Sequence, residues 1–163
     1  MKITKDWLKK KSACALGVAW FNAQQETDGA TVVKKLMLEN HFDWANWLIV
    51  RVMERKQCLA YAIFAAEQVL DIFEKKYPGD KRPRLAIKAA KQCLEKDTPE
   101  NRADAAGWAD AAGSWAAGAA AGYAADRAAD AAAWAAGDAD AAARENMQIK
   151  ILNYGIKLLE PGK

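Results

Sequence analysis

From Ser12 onward, apolar residues recur at intervals of three and four almost without interruption, and no run alternates apolar and polar positions with β-branched enrichment over strand length. The pattern predicts an all-α protein. A first helix is expected over about 12–25, ended by ETDGAT, where Asp28 and Gly29 form a turn and Thr31 caps a short helix to about Leu38. ENHF then breaks the pattern. Asp43 is placed to N-cap a helix over DWANWLIVRVMERK, in which Trp44, Trp47, Leu48, Arg51 and Val52 share one stripe and Ile49, Val50 and Met53 extend it.

The next periodic run, QCLAYAIFAAEQVLDIFEKKY, carries two adjacent stripes: Leu59, Ile63, Ala66, Leu70 and Phe73 on one, and Tyr61, Phe64, Ala65, Gln68 and Ile72 beside it. A helix apolar over so wide an arc is largely buried. YPGDKRPR ends it, because Pro78 biases Tyr77 away from helical angles, and Pro83 suits the start of a helix continuing from Leu85 to about Glu95. Thr98, Pro99 and Glu100 then read as N-cap, first position and first-turn anion of another helix.

The segment 103–143 holds 24 alanines and five glycines, with Trp108, Trp115, Tyr123 and Trp134 spaced along it. Alanine loses no side-chain entropy on ordering, so this bias favours helix over coil, and the glycines predict breaks around Gly113 or Gly122. Wound as a helix, the four aromatics fall within an arc of about 100°. A last helix is expected from about Arg144 to Leu159, with Met147, Ile151, Leu152, Tyr154 and Leu158 on its apolar face. At 163 residues this amounts to one compact multi-helix domain over 1–163, with an alanine- and glycine-rich helical layer bridged by tryptophans.

Charge is unevenly distributed. Residues 1–102 carry 19 Lys and Arg against 13 Asp and Glu, 103–143 one against six, and 144–163 four against two, so the net +3 conceals a basic first part and an acidic tract. The opening MKITKDWLKKKSACALGVAWF is positive ahead of an apolar run, but that run is short, lacks a small-residue cleavage site and flows into a patterned helix. No stretch reaches the length of a membrane span. Cys14, Cys58 and Cys93 each sit inside an apolar helical pattern and are expected as buried free thiols of a cytoplasmic protein.

The chain carries no phosphate loop, HExxH, Cys-X-X-Cys or nucleophile elbow, and its single histidine, His41, leaves no imidazole pair for a triad or metal site. Neither catalytic residues nor a metal or other cofactor is expected, and no nucleic-acid-binding signature is readable. Arg51 is the residue that needs explaining, since a charge amid Trp, Leu, Ile and Val must be compensated if buried. Two readings stand: an ion pair with Glu67, or a pocket in which Arg51, Trp44 and Trp47 meet an anionic or planar ligand.

DWANWLIVR, YAIFAAEQVLDIFEKKYPGDKRPRLAIKAAKQCLE, the tryptophan-spiked alanine tract and ILNYGIKLL occur here in one ordered combination. Over about 43–159 the chain thereby resembles family 5 of the bacterial immunity proteins associated with polymorphic toxin systems. The resemblance implies a non-catalytic protein that binds and neutralises a cognate toxin, although the alanine tract carries aspartates and glycines where the family is expected to have more arginine and tryptophan. Asp126, Asp130, Asp138 and Asp140 would suit a basic nuclease toxin through electrostatic steering. The alternative is a phage or bacterial counter-defence protein that sequesters a small nucleotide signal, with Trp44, Trp47 and Arg51, or Tyr77, Arg82 and Arg84, stacking on a base and clamping phosphate.

Overall fold

A computed structural model describes residues 1–111 and 141–160, with side chains over 1–107 and 145–160. Eight α-helices make up this part: α1 (Lys5–Lys10), α2 (Ala15–Ala23), α3 (Gly29–Leu38), α4 (Phe42–Val52), α5 (Arg55–Lys76), α6 (Arg82–Glu95), α7 (Pro99–Ala111) and α8 (Ala141–Leu159). The fold is all-α. The one β contact among the described residues is an isolated antiparallel bridge between Lys2 and Asp28.

The helix expected over about 12–25 is α2, and α1 lies ahead of it, ended by a turn that sequence periodicity does not mark. Ser12 adopts φ 58°, its N–H donates to Lys9 O at 3.0 Å and the Ala13 N–H to Leu8 O at 3.0 Å. This is the six-to-one and five-to-two closure of a Schellman motif, which ends α1. The same closure ends α3, with Asn40 at φ 60°, Asn40 N–H donating to Met37 O at 3.1 Å and His41 N–H to Leu36 O at 2.8 Å. ENHF breaks the pattern because Asn40 tolerates the left-handed conformation better than most residues.

Two predicted caps shift by a few residues. Asp28, not Thr31, is the N-cap of α3: its carboxylate accepts from the Thr31 N–H at 3.1 Å, and this bond is the main cause holding its pKa below the usual value. α4 begins at Phe42, with His41 at the N-cap position making no side-chain cap bond, so Asp43 lies inside the first turn, where its charge suits the helix dipole. Thr98 caps α7 as expected, accepting from the Asn101 N–H at 3.2 Å.

Helix α5 is the shared wall between two apolar clusters. Tyr61, Ala65 and Val69 join the main core with Ile49, Leu48, Val33, Ile151 and Leu152, while Ile63, Ala66 and Leu70 meet Ile87 of α6. The two stripes read from the sequence thus face two different neighbours. α8 packs back against α3, α4 and α5, burying Ile151, Leu152 and Ile156, worth roughly 1.5–3 kcal/mol for each fully buried large apolar side chain. The approach is close because Gly155 lacks a side chain: a Cβ there would stand 2.5 Å from Ile49 Cδ1 and 2.7 Å from Tyr61 Cε2.

Burial of the cysteines follows the expectation in part. Cys93 is buried and Cys58 half-buried, but Cys14 is exposed. Its place at the N-cap of α2 explains this, since the sulfur turns back to accept from the Gly17 N–H at 3.3 Å.

Candidate functional site

The sharp turns after α1 and α3 fold the first 48 residues around an apolar cavity of about 420 Å³. Leu8 and Ala13 on either side of the Ser12 turn, Trp20 and Phe21 of α2, Val32 and Leu36 of α3, and Trp44, Trp47 and Leu48 of α4 line it, with Ser12, Cys14 and Asp43 adding polar atoms. Asp43 and Trp44 also border a second, more polar recess of about 490 Å³ formed with Asn40, His41, Phe42 and Gln148.

Each indole in the cavity wall is oriented by a polar neighbour. Trp20 donates its Nε1–H to Glu39 Oε2 at 2.6 Å, and Lys35 Nζ lies 5.8 Å from its ring centroid. His41 stacks on Trp44 with centroids 4.4 Å apart and planes inclined by 23°, and it meets Trp20 edge-on at 6.3 Å. The Arg51 guanidinium lies 4.1 Å from the centroid of Trp47. The two cation–ring contacts contribute about 0.5–1 kcal/mol each at exposed sites.

The expected ion pair between Arg51 and Glu67 is not formed. Arg51 is only half-buried, and its Nη1 donates to the Trp47 carbonyl one turn back at 2.8 Å, so hydrogen bond, ring face and solvent together meet its charge. Glu67 points outward from α5 instead, where Lys91 of α6 pairs with it at 2.6 Å. The pocket reading is corrected in the same way: Trp44 and Trp47 line the cavity, but Arg51 caps Trp47 and is not among the lining residues.

Tyr77, Arg82 and Arg84 gather at the turn between α5 and α6, and none of them borders the cavity. Arg82 makes a two-pronged contact with Asp80, at 2.9 Å from Nε and 2.6 Å from Nη2, which holds the Asp80 carboxyl down at about 2. Arg84 likewise grips Glu74 at 2.7 and 2.6 Å and lowers its pKa. These guanidinium groups already have carboxylate partners, so a phosphate would have to displace them. Asp126, Asp130, Asp138 and Asp140 lie outside the described residues.

A third charged cluster, which sequence reading did not single out, ties α5 and α6 to α7. Asp97 accepts from Arg102 Nε and Nη2 at 2.6 and 2.8 Å, lies 3.5 Å from Arg55 and accepts from the Cys93 thiol at 3.5 Å. The Arg102 contact is the chief reason its pKa falls to about 2. Burial pushes the Cys93 thiol upward, and the Asp97 hydrogen bond adds to this. Among the described residues no group of three or more potential metal ligands occurs, and no helix is long and apolar enough to cross a membrane.

These helices define an all-α protein whose first four helices enclose a tryptophan-lined cavity. Residues 48–161 match the family model described as "Imm-5 like putative immunity protein", and the chain belongs to that family. The match agrees with the resemblance seen over about 43–159 and begins at the last of the cavity-lining residues, Leu48. No match is found among curated proteins or among solved structures.

Proposed function

We propose that this chain is a cytoplasmic immunity protein that binds a cognate toxin through a protein interface and neutralises it without catalysis. Membership of an immunity-protein family over 48–161 is the observation that carries this reading. Two further observations support it. Leu16 and Leu38 are large apolar residues exposed to 73% and 84%, the sort of side chain that anchors a partner when it enters a pocket on the other surface. The acidic tract, one basic against six acidic residues over 103–143, supplies the field that would steer a basic toxin domain toward it. Nothing comparable favours a nucleotide ligand, since Arg82 and Arg84 hold carboxylates and Arg51 lies outside the cavity wall.

Co-expression with a candidate toxin encoded beside this chain tests the proposal. Growth should be rescued, and the two proteins should co-elute as a complex on size-exclusion chromatography. Absence of both rescue and complex would overturn it.

A further inference from the structure

We propose that the tryptophan-lined cavity is a binding site for a small organic cation, an ammonium or guanidinium group carried on an apolar aryl or alkyl body. Its volume of about 420 Å³ lies within the range of pockets that enclose small ligands. Leu8, Phe21, Val32 and Leu36 supply apolar wall for the body of such a ligand, and Trp20, Trp44 and Trp47 supply three indoles, the side chain that attracts cations most strongly. The structure displays this attraction twice, with Lys35 over Trp20 and Arg51 over Trp47.

Charge selects the sign of the ligand. Among the described residues lining the cavity Asp43 is the one charged group, itself exposed to solvent, and it makes no ion pair with any described residue. A carboxylate beside indole rings complements an ammonium and repels a phosphate or carboxylate. Lys9, Lys10 and Lys11 follow nearby in sequence, but they are exposed at the end of α1 and do not line the wall. All lining residues except Leu48 precede the family-matched segment.

Calorimetric titration of the full chain with three probes of one shape, 4-phenylbutylamine, 4-phenylbutanol and 4-phenylbutyrate, tests the assignment. The amine should bind on the order of tenfold more tightly than the alcohol, and the acid more weakly than both. Asp43→Asn should lower affinity for the amine by about three- to tenfold while leaving the alcohol unchanged. Trp44→Leu keeps an apolar wall but removes a ring, and should likewise weaken the amine selectively. No binding by any probe, equal affinity for all three, or an amine affinity unmoved by both variants would overturn the proposal. Equal affinity for Nα-acetyl-lysine amide, whose stem fills less of the cavity, would assign the site to a partner's side chain and overturn the small-molecule reading.

Discussion

Tyr61 reaches from α5 to donate its hydroxyl to Asn46 Oδ1 of α4 at 3.0 Å, at a point where Tyr61 is 0% and Asn46 1% exposed. The amide nitrogen of Asn46 has no hydrogen-bond partner among the described residues. A buried polar group costs free energy unless paired, so the phenol sustains an asparagine in the middle of an apolar core.

Removing that hydroxyl is therefore expected to be expensive out of proportion to its size. Tyr61→Phe should destabilise the fold by about 1–3 kcal/mol, because it strands the Asn46 oxygen as well. Combining it with Asn46→Leu, which removes the stranded group, should recover part of the loss. Urea denaturation of the two single variants and the double variant measures this, and strictly additive losses would contradict the coupling.

Gly155→Ala places a Cβ where Ile49 and Tyr61 already stand. The Ile49 methyl can rotate aside, but the Tyr61 ring is fully buried and tethered through Asn46. Overpacking of this kind costs about 1–3 kcal/mol, which outweighs the roughly 1 kcal/mol that alanine gains over glycine in a helix interior. Thermal denaturation should show a lower Tm. A Tm at or above that of the parent would show that α8 can shift outward without penalty.

Thiol chemistry should separate the three cysteines. Cys14 is exposed, whereas burial pushes the Cys58 and Cys93 thiols up and away from the reactive thiolate. Iodoacetamide under native conditions is expected to modify Cys14 on the order of tenfold or more faster than the other two. Peptide mapping by mass spectrometry reads the rates, and comparable labelling of all three would contradict the packing described for α5 and α6.

Acid should loosen the junction of α6 and α7 late. The folded Asp97 carboxyl titrates at about 2, below its ordinary 3.8, so its ion pair with Arg102 stabilises the fold above the ordinary value. That contribution is lost as pH falls from about 4 toward 2. Arg102→Gln should move the Asp97 titration, followed by carboxyl-carbon NMR, back toward 3.8 and flatten the dependence of stability on pH in that window. A titration that does not move would assign the depression to another group.

The helical fold was legible because it rests on apolar spacing, and spacing is local. α5 shows how far this goes, since its two stripes could be read directly and later proved to face α6 and the main core separately. Turn geometry was harder. Ser12 and Asn40 adopt left-handed conformations that glycine signals more clearly, so α1, ahead of the helix expected over about 12–25, went unread, and with it the cavity that the turn after it helps to enclose. Trp44 and Trp47 figured in one of two readings of the sequence around Arg51 and do line the cavity, but Trp20, Leu8 and Val32 come from other helices and were not connected with them. Arg51 does not pair with Glu67 because it is half-buried, which lets it use its own preceding turn.

The return of α8 to the N-terminal helices has a consequence for how the protein comes into being. Its Ile151 and Leu152 complete a core begun by Val32, Val33, Leu48 and Ile49, Lys34 of α3 meets Glu160 at 2.6 Å, and Gln57 of α5 donates to the Leu158 carbonyl at 2.6 Å. The chain must be translated almost to Glu160 before the surfaces of α3, α4 and α5 find their cover. Until then a nascent chain carries an open apolar groove, and a gene truncated even shortly before this helix would yield material for chaperones and proteases in place of a folded protein.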